Sequence, residues 1–248
     1  MGRKCSRNDR HRDSMTGLAN SSGGDAEMTS TGLRRTVHLA LAGLLVTGVA
    51  APGPGRAGDD GPIAAADAPA WEWGPSVLWY VLREERDFLQ PTLTVDRGAL
   101  HLEARYNYEA RNAGSAWIGW NFSFGEELRL GLTPMVGGVF GQMRGIAPGL
   151  TLTLEWGPLA LWSQSEYVFD LGDSSQSFFY AWTEFSVTGP EWLRVGVVLD
   201  RTRVFQTSTE VQGGPLVGVS FWQLSATAYL FAPGRQDQFL VLAVAGSF

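Results

Sequence analysis

The run Leu100-His101-Leu102-Glu103-Ala104-Arg105-Tyr106-Asn107-Tyr108-Glu109 alternates without a slip. Leu100, Leu102, Ala104, Tyr106 and Tyr108 share one parity; His101, Glu103, Arg105, Asn107 and Glu109 share the other. A period of two puts the apolar set on one face of a strand and the ionisable set on the opposite face. A helix would scatter the same charges around its circumference.

The pattern recurs to the end of the chain. Ile118, Trp120, Phe122 and Phe124 alternate with Trp117, Gly119, Asn121 and Ser123, and Leu128, Leu130 and Leu132 with Arg129, Gly131 and Thr133. Leu150, Leu152, Leu154 and Trp156 face away from Thr151, Thr153 and Glu155. Similar runs cover 159–170, 177–188, 191–203, 214–222, 224–231 and 238–248. Together they predict about ten strands, joined alternately by tight connections (125–126, 157–158, 188–191, 223) and longer ones (110–114, 138–149, 171–176, 204–213, 232–237). Residues 71–98, bracketed by Pro75 and Pro91, contain the apolar run Val77–Leu82, whose periodicity does not choose between helix and strand. The segment is read as an interfacial helix or a further strand pair. The expected fold is therefore all-β, a closed antiparallel up-and-down barrel of about ten strands, with eight or twelve as alternatives. Twelve follows if 76–96 adds a hairpin.

Composition narrows the setting. Of 248 residues, 44% are hydrophobic and only 18% charged, with 31 Gly and 10 Trp; aromatics this plentiful beside so little charge exclude a disordered chain. From Gly58 onward there are 11 Arg, no Lys and 21 Asp and Glu. Such an acidic surface argues against a nucleic-acid partner, because phosphate contacts need clustered positive charge. The single cysteine, Cys5, stands before the folded part, so disulfides and Cys-based zinc sites are not expected there. Arg34 and Arg35 precede an apolar stretch from Thr36 to Ala51, followed by small residues with cleavage candidates at Ala57 and Ala66. This is the form of a signal peptide, and Met28 is an alternative start. The chain divides into 1–57, a polar extension plus signal peptide; 58–98, a linker and a periplasmic or interfacial segment; and 99–248, the barrel.

A soluble barrel alternates as well, with its apolar face inward. Runs of about ten residues match the 9–11 that a tilted strand needs to cross a hydrocarbon layer. Aromatics near strand ends, among them Trp120, Trp156, Trp162, Tyr180 and Trp192, suit two interfacial belts. The last run, Leu240-Val241-Leu242-Ala243-Val244-Ala245-Gly246-Ser247-Phe248, ends on an aromatic residue. It resembles the terminal strand of bacterial outer-membrane β-barrel proteins, and the chain resembles their small porin-like members over 99–248. Gly246 departs from that pattern, where a larger apolar residue is usual. The resemblance implies an outer-membrane location, contact with outer-membrane lipids and lipopolysaccharide, and recognition of Phe248 by the barrel-assembly machinery.

With apolar faces turned to lipid, the lumen is expected to receive His101, Glu103, Arg105, Asn107, Glu109, Asn121, Arg129, Glu155, Gln164, Glu166, Glu184, Arg194 and Asp200. Two readings of this set stand side by side. One is a structural network that fills a narrow interior; the other is a thin, cation-leaning pore for small solutes, since excess carboxylates concentrate cations. The alternative class is an outer-membrane lipid or ester hydrolase. Such an enzyme needs a serine next to a histidine base, and after the leader the only histidine is His101, with no serine identifiable as its partner. A non-catalytic barrel is expected, with no cofactor and no resident metal. Asp170 and Asp173, close together in an outer loop, are the weak exception for a divalent cation.

Overall fold

The computed structural model describes residues 69–83, 85–204 and 209–248. The signal peptide, its cleavage sites and the alternative start lie outside the described residues. The elements are β1 (Glu72–Val81), β2 (Phe88–Arg97), β3 (Leu100–Tyr106), β4 (Ala113–Trp120), β5 (Phe122–Phe124), β6 (Leu128–Gly141), β7 (Gly145–Trp156), β8 (Leu159–Asp170), a 3-10 turn (Ser174–Gln176), β9 (Phe178–Thr188), β10 (Leu193–Val204), β11 (Glu210–Phe221), β12 (Leu224–Phe231) and β13 (Phe239–Gly246). Each strand pairs antiparallel with its sequence neighbour, and β1 pairs with β13, so the sheet closes on itself. Among the described residues only the three-residue β5 keeps an unpaired edge, so little is left to template aggregation.

β4 and β5 are one strand with a break. Gly119↔Met135 and Phe122↔Leu132 keep a single register against β6. The interruption falls opposite Pro134, which has no N–H to give, and the Thr133 hydroxyl donates to Asn121 Oδ1 at 2.7 Å across it. The barrel therefore has twelve staves, the larger of the two alternatives to about ten. The two extra staves are 71–98: β1 and β2 form a hairpin registered from Glu72↔Asp96 to Tyr80↔Phe88. Of the two readings of that segment, the strand pair is the one formed, and the barrel begins at Glu72 rather than at 99. Pro75 and Pro91 point outward in β1 and β2 instead of bracketing a helix.

Five connections lie at the end that holds both chain termini: 98–99, 125–127, 157–158, 189–192 and 222–223. At the other end lie 107–112, 142–144, 171–177 and 232–238, together with the β1–β2 and β10–β11 links. The expected alternation of tight and longer links holds, with one correction. The stretch 138–149 is not a long loop: β6 and β7 run through it and leave only 142–144 as the turn. Its glycines and Pro148 read as punctuation, yet they serve the strands. A Cβ on Gly137 would stand 2.3 Å from the Trp117 ring, and one on Gly149 3.0 Å from it. Both glycines face inward and make room for that indole.

The two faces divide as the alternation requires. Trp79, Leu93, Ile118, Phe140, Leu150, Trp156, Phe185, Val197, Val217 and Val244 are exposed on the outer surface. The inner face buries Leu78, Tyr180, Trp182, Tyr229 and Val241 together with Gln90, Glu103, Arg105, Gln164, Glu166 and Glu184. Apolar outside and mixed polar within is the arrangement of a spanning barrel, not of a soluble one.

Candidate functional site: the lumen

The lumen is layered along the barrel axis. At the end that carries the termini it opens into a cavity of about 370 Å³. Strand alternation delivers its lining. Thr94 and Asp96 come from β2, His101 and Glu103 from β3, Arg129 and Thr133 from β6, Thr151, Thr153 and Glu155 from β7, and Trp162 and Gln164 from β8. Arg129 and Glu155 face each other across β6 and β7 and pair at 3.0 Å in partial solvent contact. Asn121 sits at the strand break, donating from Nδ2 to Asp96 Oδ1 at 2.6 Å. His101 Nδ1 meets the same Asp96 oxygen at 2.8 Å, and its Nε2 faces Glu103 Oε2 at 3.5 Å.

Above this vestibule sits a knot around Arg105, whose side chain is wholly buried. Its Nε and Nη2 donate to the two oxygens of Glu103 at 2.8 and 3.0 Å, and Nη1 donates to Glu166 Oε2 at 2.7 Å. Glu109 lies 3.8 Å from the same Nη1. The flat faces of the guanidinium are covered by Tyr108 at 4.2 Å and Trp117 at 4.4 Å. A planar cation with forked donors suits such a slot; an ammonium would not fill it.

A second knot centres on Glu184. Trp182 Nε1 and the Tyr229 hydroxyl donate to its Oε1 at 2.8 and 2.9 Å, and Arg194 Nη1 donates to its Oε2 at 2.8 Å. Asp200, on the same strand as Arg194, accepts from the Thr202 hydroxyl at 3.3 Å. Toward the outer end aromatic rings take over. Tyr80 stacks on Phe88 at 4.4 Å, Phe231 on Phe239 at 4.7 Å, and Tyr108 meets Tyr180 edge-on at 6.0 Å. Tyr80, Tyr108, Tyr180 and Phe231 belong to one buried apolar cluster, with Phe88 and Phe239 packed against it.

Of the thirteen residues expected in the lumen, twelve face inward. Asn107 does not line the interior: it forms the neck of the 107–112 loop, donating to Leu89 O and accepting from Asn112 N–H. Its φ of 58° ends β3 after Tyr106 and breaks the alternation there. Tyr108, expected on the lipid side, is for that reason turned inward and fully buried. Trp162 and Tyr180, assigned to the aromatic belts, are also inside. Asp96 was missed because 71–98 had no assigned face; Thr92-Leu93-Thr94-Val95-Asp96 does alternate, and that was the available signal. In the outer 171–177 loop Asp170 Oδ1 accepts the amides of Gly172 and Asp173, and Asp173 caps the 3-10 turn. Both carboxylates accept from the backbone of their own loop.

No protein-family model matches the chain, and no curated protein matches it. Solved structures of similar fold exist. The KdgM porin aligns over 71% of this chain and 99% of its own, with a TM-score of 0.51 at 9% identity. A structure described as KdgM porin in complex with disordered oligogalacturonate aligns over the same shares, with a TM-score of 0.54 at 10% identity. At such identity the likeness is one of fold.

Proposed function

We propose that the chain is an integral outer-membrane β-barrel that serves as a narrow, cation-leaning conduit for small solutes. The observation that carries this reading is the carboxylate-bearing cavity inside a barrel whose outer face is apolar. Asp96, Glu103 and Glu155 line the cavity against Arg129 and His101. Carboxylates in excess along a water-filled lining attract cations and repel anions. The likeness to a porin fold supports the conduit. The oligogalacturonate seen with KdgM porin is a polyanion, and this lumen is poorly charged for one.

A structural barrel with a filled lumen is the second reading. The fully buried Trp182, Tyr180, Phe178 and Phe231 of the upper layer favour it. Hydrolase activity is the reading with least support. Both ring nitrogens of His101 face carboxylates, so neither is offered to a serine. Replacing His101 with Ala is expected to leave any background esterase rate of the purified barrel unchanged; a rate lost with the ring would restore the hydrolase.

Planar-bilayer recording across a salt gradient tests the conduit. The folded, purified barrel is expected to give small current steps with a cation-favouring reversal potential. An anion-favouring potential would overturn the selectivity. Silence from folded protein would leave only the structural role.

A further inference from the structure

We infer that the cavity opens sideways through the wall beside β5, and that this opening takes the headgroup of a zwitterionic phospholipid from the leaflet at the end that carries the termini. The inference goes beyond the conduit and does not depend on it. On β7 and β8 only inward positions line the cavity: Thr151, Thr153 and Glu155, then Trp162 and Gln164. On β5 every residue does, Phe122, Ser123 and Phe124 alike, and the neighbouring run 129–133 of β6 is continuous as well. The cavity therefore reaches round the edge of β5 instead of stopping at its inner face. That edge is free. Leu100↔Trp120 is the last pair of β3 with β4, and one step on the Asn121 amide donates to Ala99 O at 2.8 Å. There the chain turns from β2 into β3, so β5 pairs with β6 alone. Backbone groups point to alternate sides along a strand. Ser123, two residues after Asn121, thus turns its N–H and C=O into the opening. The other lip is the 98–99 turn with Pro69 laid against it: a Cβ on Gly98 would stand 3.3 Å from the Pro69 ring.

The opening is apolar without and charged within. Trp120, Phe122 and Phe124 are exposed on its outer side, at the level where aromatic belts meet headgroups. Inward from the edge, Arg129 stands on the next strand and Glu155 on the one after, about 5 and 10 Å away at the usual strand spacing. Their side chains are 50% and 34% exposed, so both can be reached, whereas Arg105 and Glu103 are locked into their knot. A guanidinium beside a carboxylate matches a phosphate and an ammonium carried on one headgroup. Arg129 donates to phosphate oxygens, and Glu155 accepts from the ammonium. An anionic headgroup would instead set its charge against Glu155, with Asp96 and Glu72 also in the lining. A sheet edge in contact with lipid needs partners for its backbone groups, and an ester oxygen of the same lipid can accept from Ser123 N–H.

Paramagnetic broadening of backbone amides tests this on the whole folded barrel in phosphatidylglycerol nanodiscs. A nitroxide near the ester end of one acyl chain is carried first on phosphatidylglycerol and then, at the same low mole fraction, on phosphatidylethanolamine. Val219, exposed on the outer face of β11 at the same end, reports unselected lipid. The change of headgroup is expected to raise the broadening at Ser123 about ten-fold relative to that at Val219. Arg129→Gln combined with Glu155→Gln keeps nearly the same volumes without the charges. It should leave the barrel's heat-modifiable migration unchanged and abolish the preference. Glu155→Gln alone should lower it, since only the ammonium loses its partner. Equal broadening ratios for the two lipids would reduce the contact to that of any belt lipid and overturn the site. A preference that survives the double variant would overturn it too. Broadening at Val219 but not at Ser123, with either lipid, would mean that polypeptide covers the edge, and the site would fall. A barrel that shows the preference and carries no current keeps the site and loses the conduit alone.

Discussion

Trp73 and Phe248 exchange two backbone hydrogen bonds: Trp73 N–H to Phe248 O at 2.8 Å and Phe248 N–H to Trp73 O at 2.9 Å. This pair fastens Phe248 to the first stave, three positions beyond the registered pairs that run from Ser76↔Ala245 to Val81↔Leu240. It is the terminal stitch of the β1–β13 seam, which joins distant parts of the sequence. Deleting Phe248 removes both bonds at once, and at about 1 kcal/mol each the seam should weaken by about 2 kcal/mol. The expected outcome is a folded barrel that converts to its slow-migrating heated form at a lower temperature on a semi-native gel. Equal conversion temperatures would show that the stitch adds nothing to the seam.

Gly137 lies under the indole of Trp117, closer than any Cβ could stand. Gly137→Ala must push that ring toward Arg105, whose guanidinium it covers at 4.4 Å. Overpacking of this kind costs about 1–3 kcal/mol. Trp117→Leu in the same molecule should return part of the loss, since the clash goes with the ring. A double-mutant cycle on urea unfolding in detergent measures the coupling. Additive losses would mean the glycine and the indole do not press on each other.

The same residues show what the sequence made legible. Alternation from Leu100 onward placed Glu103, Arg105, Glu155, Glu166 and Glu184 on the inner face, because side-chain period in a strand depends only on parity. Parity is lost wherever the backbone leaves the strand. Asn107 does so with one left-handed residue, and Tyr108 consequently changed sides. The stave count was less legible. Pro75, Pro91, Pro134 and Pro148 are all tolerated in strands of this barrel, so proline, the usual breaker, gave the wrong boundaries for β1, β2, β6 and β7. Partnership was not legible at all: nothing local says that Arg105 meets Glu166, a residue 61 positions away.

Asp173 carries the pH dependence that can be assigned outside the spanning strands. The Ser175 hydroxyl donates to its Oδ1 at 2.7 Å and the Ser175 amide at 3.0 Å, and these bonds hold its carboxyl below the ordinary carboxylate value. A lowered pKa in the folded loop means the cap is complete above the ordinary value and is lost as pH falls through the lowered one. Amide exchange at Ser175 should therefore be slow near neutrality and gain an extra acceleration only in strong acid. Asp173→Ala should abolish that step and expose the amide at every pH. The same profile in both proteins would show that the cap does not hold the turn.

Arg105 is the residue whose loss the barrel should tolerate least. Arg105→Met keeps much of the volume between Tyr108 and Trp117 but strips the cation from Glu103, Glu109 and Glu166. Breaking a buried pair from one side costs about 3–5 kcal/mol, because the orphaned charge stays in a dry place. Arg105→Lys should recover little of it. An ammonium cannot lie flat between two rings or engage both oxygens of Glu103 while also reaching Glu166. The more telling variant is Arg105→Met combined with Glu103→Gln and Glu166→Gln, which removes charge from both sides of the knot. If the knot's contribution is electrostatic pairing, this triple variant should unfold closer to the parent than Arg105→Met does, despite carrying three changes. If the triple variant is the less stable, the carboxylates are held by something other than Arg105, and the knot is packing around an arginine rather than a charge balance.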